Sequence, residues 1–425
     1  MTSHRLAPLL GAALVLAALP VPTRGQDRPL ALKGATIETV GEAGRIESGV
    51  IVLRDGKIEA VGPPDEVTIP EEARVIDASG RTIMPGIVEP ALSARGSLSG
   101  GSGTVIIGNQ VVTIGGSSSS RAPSFSKAAD LFDPYRTNFE PLLRSGLTYL
   151  DLLPPDYGQT AVVRILPDDP DAAILEREGR LMLSLSNSTP TLDLLRESLE
   201  GARGSGSSGQ GQRGADRNGS EQGSSRQQGS GSGSGSSSNP SRDLWRAVVE
   251  GKAPLIVDAG NAASILYLLE AIKEDDKVQV ALIASGRDVM LTLDQLADRP
   301  GLTLVLRPTV DTMPQNRDRI NVPRIVQERG IDLAFTQGFS RAALQSGQDT
   351  PLFDVAYLIA TGLPRDEALK ALTSRPADLI GKGDSLGRIE PGKSASLLIF
   401  EGDPFDPYSR LRTVILEGKT VYETD

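Results

Sequence analysis

Between residues 147 and 337 the chain alternates short β-rich runs with helical segments, and this rhythm restricts the fold more than any other feature. The runs are LTYLDLL (147–153), AVVRIL (161–166), LMLSLS (181–186), PLIVDAG (254–260), VQVALIAS (278–285), LTLVLRP (302–308) and DLAFTQ (332–337). Helical spacing separates several of them. In 262–273, Ile265, Leu268, Leu269 and Ile272 recur on one face, and 294–298, 322–329 and 366–373 also read as helices. Repeated strand-then-helix units imply a parallel sheet with covering helices, since a parallel crossover needs a long connection. The strand count suits a closed TIM-type (β/α)8 barrel, an α/β fold. An open doubly wound sheet has the same rhythm.

The ends of the chain differ from this middle. ALKGATIETV, SGVIVLRDGKIEAVG and ARVIDASG place Ile51, Leu53, Ile58 and Val61 around Asp55-Gly56, a hairpin signal. The last residues repeat that character, with SASLLIFEGD and then RTVILEGKTVYE around Glu417-Gly418. Two further segments break the rhythm. Residues 96–120 frame TVIIGNQVVTIGG in Gly and Ser, which predicts a surface hairpin. Residues 201–239 are almost wholly Gly, Ser, Gln and Arg, with Ala202 and Ala215 the two apolar residues. Such a stretch has nothing to bury against the entropy of ordering, so a flexible insertion is expected.

Residues 1–25 read as a secretory signal peptide: Arg5, then an apolar core from Leu6 to Leu19, then Pro20 and small or turn-forming residues up to Gly25. The expectation is an exported protein, periplasmic or extracellular, with no membrane insertion after cleavage. The whole chain has no cysteine, so neither disulfides nor a thioether lipid anchor is available to it. A net charge of −10 without a basic block argues against nucleic acid and anionic membranes as partners. His4 is the one histidine in 425 residues, and it falls inside the expected leader. Past that leader there is no imidazole or thiolate, so a zinc site with nitrogen or sulfur ligands has no donors.

Two stretches carry a family resemblance. RDGKIEAVG…RVIDASGRTIMPGIVE resembles the opening signature of the amidohydrolase superfamily, in which a small β domain leads through Met-Pro-Gly into the first barrel strand. ALTSRPADLIGKGDSLGRIEPGKSASLLIFEGDPFDP…RTVILEGKTVY resembles that family's closing segment, in which strands after the last barrel helix complete the same β domain. DLFDPYRTNFEPLLRSGLTYLDLLPPDYGQTAVVRIL is similar to exported amidohydrolases related to the imidazolonepropionases. The resemblance implies a β-sandwich domain built from 28–84 and 385–425, and a barrel over 85–384. It also implies a metal-dependent hydrolase of carbon–nitrogen (non-peptide) bonds, with a binuclear site held largely by histidines.

The family's ligand positions fall on other residues here. After Pro85-Gly86 come two apolar residues, Glu89, a spacer, and then Ala91 and Ser93 where the family has His-x-His. A later histidine position is met by Asp258 or Gly260, and another by Ala284-Ser285. The final acid is replaced by Gly338 or Gln337, and a metal-bridging lysine corresponds to Arg164. An arginine stays protonated and forms no carbamate.

The expected cofactor is therefore none, and the chain reads as a pseudoenzyme retained to bind an unidentified small molecule or protein. The alternative is a hydrolase of carbon–nitrogen or ester bonds with an altered site made from Glu89, Asp151, Asp258 and Asp311. Such acids suit a hard cation or an acid–base pair, but Asp at a strand end also simply caps the next helix. Ser93, Ser285 and Ser340 are candidate nucleophiles only if Lys or Asp activates them, and no G-x-S-x-G motif is present. The composition of 201–239 generates a direct test. Its deletion leaves the thermal midpoint in calorimetry nearly unchanged, whereas loss of folding would show that the segment packs.

Overall fold

The computed structural model describes residues 28–94, 104–107, 110–113, 123–204, 240–313, 317–337 and 351–424. The expected signal peptide, Gly338, Ser340 and positions 205–239 of the expected insertion lie outside the described residues. Positions 201–204 of that insertion instead finish the helix Thr189–Gly204. Within 96–120, Thr104–Ile107 and Gln110–Thr113 pair antiparallel as a hairpin.

Both ends of the chain share one eight-stranded sheet. Its order is Lys419–Glu423, Leu411–Leu416, Leu397–Phe400, Thr82–Pro85, Leu30–Glu38, Arg45–Arg54 and Lys57–Gly62, with Arg74–Asp77 also paired to Leu30–Glu38. The two ends join where Leu397–Phe400 runs antiparallel to Thr82–Pro85. Two separate packed sheets were expected, and a single branched ladder is found. The reason lies in Leu30–Glu38, which changes parallel partner along its length, from Arg74–Asp77 to Thr82–Pro85. Gly34 makes that irregularity. Its φ of +87° suits glycine, and a Cβ there would come within 2.5 Å of Ser79 Oγ. Leu32, Ile37, Ile51, Ile58, Ile83 and Leu397 fill the interior of this domain.

Seven parallel strands form the second unit: β1 (Ile87–Ser93), β2 (Leu147–Leu153), β3 (Leu181–Leu185), β4 (Leu255–Ala259), β5 (Val280–Ile283), β6 (Leu302–Leu306) and β7 (Asp332–Phe335). β1 pairs with β2, and β3 to β7 pair in chain order. The helices Ala262–Ala271, Leu293–Ala297, Val322–Glu328 and Arg365–Leu372 lie where the apolar spacing put them. Leu153, Met182, Ile256, Ala281, Val305 and Ala334 form one apolar cluster contributed by six of the strands, β2 to β7. Successive residues on a strand face opposite ways, so the positions two residues along from these share their face.

The expected ring of eight parallel strands is not what the ladders show. Residues 161–164 were expected as a parallel strand, and they run antiparallel to β2. The residues just before them, Tyr157–Gln159, run antiparallel to β3. This one bent segment lies between β2 and β3 in place of a helical crossover, because only a short connection separates it from Leu153. Among the described residues no ladder joins β7 to β1.

A buried ion pair ties β2 to the entry of β3. Arg180 Nη2 donates to Asp151 Oδ1 at 2.8 Å and to Thr160 Oγ1 at 3.2 Å, and Nη1 donates to the carbonyl of Ile380. The side chains of Asp151 and Arg180 are 1% and 7% exposed, so each depends on the other for its hydration substitute. Arg180→Met leaves a buried carboxylate alone and should cost about 3–5 kcal/mol in denaturant unfolding. The Asp151→Leu/Arg180→Met double variant should recover most of that loss.

Candidate functional site

The C-terminal ends of β4 to β7 open on a cavity of about 390 Å3, where a barrel of this class places its chemistry. Asp258, Ile283, Ser285, Arg307, Asp311 and Thr336 line it. Asp258 lies two residues past Ile256 on β4, which turns it to the inner face. Burial pushes its carboxyl above the ordinary aspartate value, and no neighbouring charge opposes the shift. Asp311 starts the short strand Asp311–Met313, and its carboxylate lies so close over Gly286 that a Cβ there would overlap it. Burial raises its pKa as well. Arg307 follows β6 and supplies the cation of the cavity wall.

Glu89 was expected with these acids, and it has a different set of partners. It is fully buried on β1. Oε1 accepts from Thr336 Oγ1 at 2.6 Å and from the Ala91 amide at 3.0 Å, and Oε2 accepts from the Gln337 amide at 2.7 Å. The carboxylate thus clasps β1 to the end of β7, where no ladder does. Pro90 accounts for part of this arrangement, because it has no N–H to give a ladder. The pairing of β1 with β2 slips across the same place, from Glu89 opposite Leu150 to Leu92 opposite Leu152. Burial drives the Glu89 pKa up to about 7, against the three hydrogen bonds and the more distant Arg307, which all favour the charged form.

The other expected positions separate. Asp151 is withdrawn from the cavity into its ion pair with Arg180, and burial raises its pKa to about 6 despite that guanidinium. Ala91 is half-buried and packs on the apolar interior cluster, as does Ile283. Ser93 ends β1 exposed to solvent. Ser285 caps the helix Gly286–Leu291: Oγ accepts from the Asp288 amide at 3.2 Å and donates to Asp288 Oδ2 at 2.5 Å. Its hydroxyl thus meets a carboxylate, the kind of partner a nucleophile needs, within a helix-capping turn that also fixes it as the N-cap. Arg164, set against a metal-bridging lysine, faces the β domain and forks onto both oxygens of Glu417 at 2.8 Å. It lies outside the site because its strand is the antiparallel one.

Similarity to known proteins is strongest in coverage at the level of fold and strongest in identity over a short segment. Residues 341–422 match the model of the amidohydrolase family. Imidazolonepropionases from Symbiobacterium thermophilum and Geobacillus kaustophilus are 47% identical over 57 residues and 41% identical over 58. Each match covers 12% of this chain and only 13% or 14% of the relative. Over these segments the chain is similar in sequence to amidohydrolases. An amidohydrolase structure from Thermotoga maritima MSB8 aligns over 93% of the chain and 100% of its own length, with a TM-score of 0.69 at 18% identity. A putative prolidase from Bifidobacterium longum aligns over 93% and 95%, with a TM-score of 0.52 at 18% identity. At such identity the likeness is one of fold, a TIM-type barrel carrying a β domain.

The metals implied by this superfamily do not fit the residues present. Among the described residues no three His, Cys, Asp or Glu side chains converge to hold an ion. Ala91 offers a methyl group where an imidazole would coordinate, and Glu89 has both oxygens engaged by O–H and N–H donors. Asp258 shares its cavity with one other acid, Asp311, the cation Arg307 and hydroxyl groups, a set without imidazole or thiolate that is far weaker than zinc requires. The sequence reading named Glu89, Asp258 and Asp311 but missed Arg307, Thr336 and the Gln337 amide. Pro90 inside an apolar strand was the available signal of a bulge beside the site.

The raised Glu89 pKa sets a pH dependence. Between about 4.5 and 7 the folded chain holds a proton that the unfolded chain has released, so stability falls as pH rises through that window. The span corresponds to about 3 kcal/mol. Subtracting the Glu89→Gln unfolding curve, which lacks the ionisation, isolates the effect. A wild-type-minus-variant difference that is flat from pH 4.5 to 8 would contradict the burial argument.

Proposed function

We propose that this chain is an amidohydrolase-lineage barrel without the metal-dependent hydrolytic reaction, retained to bind a small molecule at the barrel mouth. One observation carries the reading: Glu89, the acid just ahead of the ligand positions, accepts from Thr336, Ala91 and Gln337 and serves as a clasp between β1 and the end of β7. An ion bound there would compete with the donors that hold these two strands together. The cavity beyond it survives, with Asp258, Asp311 and Arg307 at its walls. Function has to be argued from such a site and not from the fold that carries it. The same reading includes export, which rests on the pattern of residues 1–25. Among the described residues no helix is long and apolar enough to cross a membrane.

A second reading has its own support. Asp258 and Asp311 line one cavity, and burial raises both pKa values, which favours the protonated form that can donate to a leaving group. On that reading the chain hydrolyses a carbon–nitrogen or ester bond without a metal. The local similarity to imidazolonepropionases directs attention to cyclic amides as test substrates.

Two measurements on the purified chain separate the readings. Mass spectrometry should find zinc, manganese and iron well below one per chain, with no hydrolysis across a panel of cyclic amides, dipeptides and esters. Stoichiometric metal with turnover abolished by a chelator would overturn the binding reading. Metal-free turnover that disappears in Asp258→Asn would establish the second reading instead.

A further inference from the structure

We propose a second ligand site, for a small aromatic carboxylate, in the cavity of about 410 Å3 at the seam between the β domain and the barrel. Its wall comes from four separate parts of the chain: Arg144 before β2, Phe353 on the helix Pro351–Ala360, the loop from Phe400 to Arg412, and Tyr422 on the last strand. None of these belongs to the barrel mouth.

The apolar part of the wall is aromatic. Phe400 and Phe405 are 2% and 8% exposed, so their rings are fixed in the protein and form a floor. Arg365 holds the Phe405 ring further, with its guanidinium 4.7 Å from the ring centroid and its charge matched by Glu38 and Asp403. Phe353 is different: 52% of it is exposed, on a residue type that usually buries its area. A flat apolar ligand seated on this floor would cover it.

The charged part of the wall points to an anion. Its guanidinium groups come from Arg144, Arg410 and Arg412, and its carboxylate from Asp406, and of these Arg410 is the one that calls for an anion. Arg412 is matched by Glu401, whose Oε1 accepts from Nε at 2.7 Å. Asp406 is tied into its own turn, accepting from the Tyr408 amide at 2.9 Å. Arg410 is exposed, and among the described residues no carboxylate pairs with it. An arginine without a carboxylate partner among the described residues stands out in a chain whose net charge is −10, so Arg410 is a local feature and not a reflection of composition. One guanidinium fork matches one carboxylate with two parallel hydrogen bonds, whereas a phosphate would call for more donors. The volume falls within the range of small-molecule sites, and an aromatic floor with few polar groups at the rim is their usual make-up.

Calorimetric titration of the full chain with 3-phenylpropionate, 3-phenylpropionamide and 3-phenylpropylamine tests the proposal. The carboxylate should bind about tenfold tighter than the amide, and the amine should bind weakest. Arg410→Gln and Phe353→Ala, both at exposed positions that spare the fold, should each weaken the carboxylate by about tenfold. Asp258→Asn should leave it unchanged, which keeps this site distinct from the barrel mouth. Equal binding of carboxylate and amide, no binding of either, or indifference to Arg410→Gln would each overturn the assignment.

Discussion

The clasp from Glu89 to Thr336 and Gln337 is the contact on which the barrel mouth depends. Parallel strands are normally held edge to edge by a ladder, and β7 and β1 have none among the described residues. Two donors from the end of β7, Thr336 Oγ1 and the Gln337 amide, take over that task on one carboxylate, at a point where Pro90 has removed an amide. Because β1 leads directly out of the β domain and β7 carries the last of the site's backbone, this one side chain sets how the first and last strands present their ends. Its burial costs free energy in the ionised form, and its three donors lower that cost without cancelling it, which is why its pKa settles near neutrality.

Asp151 shows a different solution to the same difficulty. Both acids lie on adjacent strands and both are fully buried. Glu89 relies on neutral donors, while Asp151 relies on a guanidinium that also reaches Thr160 and the Ile380 carbonyl. The two contacts fall at the two places where the parallel ladders fail, β7 to β1 and β2 to β3. At the first break a polar side chain stands in for a ladder, and at the second one reinforces the antiparallel segment that fills the gap. That placement explains why neither acid is at liberty in the cavity, and why Asp258 and Asp311 are the acids that remain there.

Much of the fold was legible because period and length decide it. The runs that became β2 to β7 were visible as short apolar stretches, and Ile265, Leu268 and Ile272 marked their helix face. Strand direction was not visible: AVVRIL has the same apolar character whether it pairs parallel or antiparallel, and only the short link from Leu153 told against a crossover. The β domain's single branched sheet was hidden for a similar reason, since the change of partner along Leu30–Glu38 turns on Gly34 and Ser79 and not on hydrophobic pattern. At the site, acids could be named from their strand ends, but their partners come from Thr336 and Arg180, far away in sequence and ordinary in type. Pairing across such distances leaves no local signature.

The apolar interior shows how the strand ends of such a fold can be packed without a bound metal. Metal ligands at the strand ends place polar or charged groups over the core, and the ion compensates their desolvation. Here Ala91 and Ile283 extend the Leu153, Met182, Ile256, Ala281, Val305 and Ala334 cluster upward in their place. An alanine methyl needs no partner, whereas an imidazole placed there would need an ion or a hydrogen bond to offset its desolvation. The apolar contacts at this end of the strands are therefore complete without a bound group, and the charged side chains Asp258, Asp311 and Arg307 are gathered in the cavity beside the cluster.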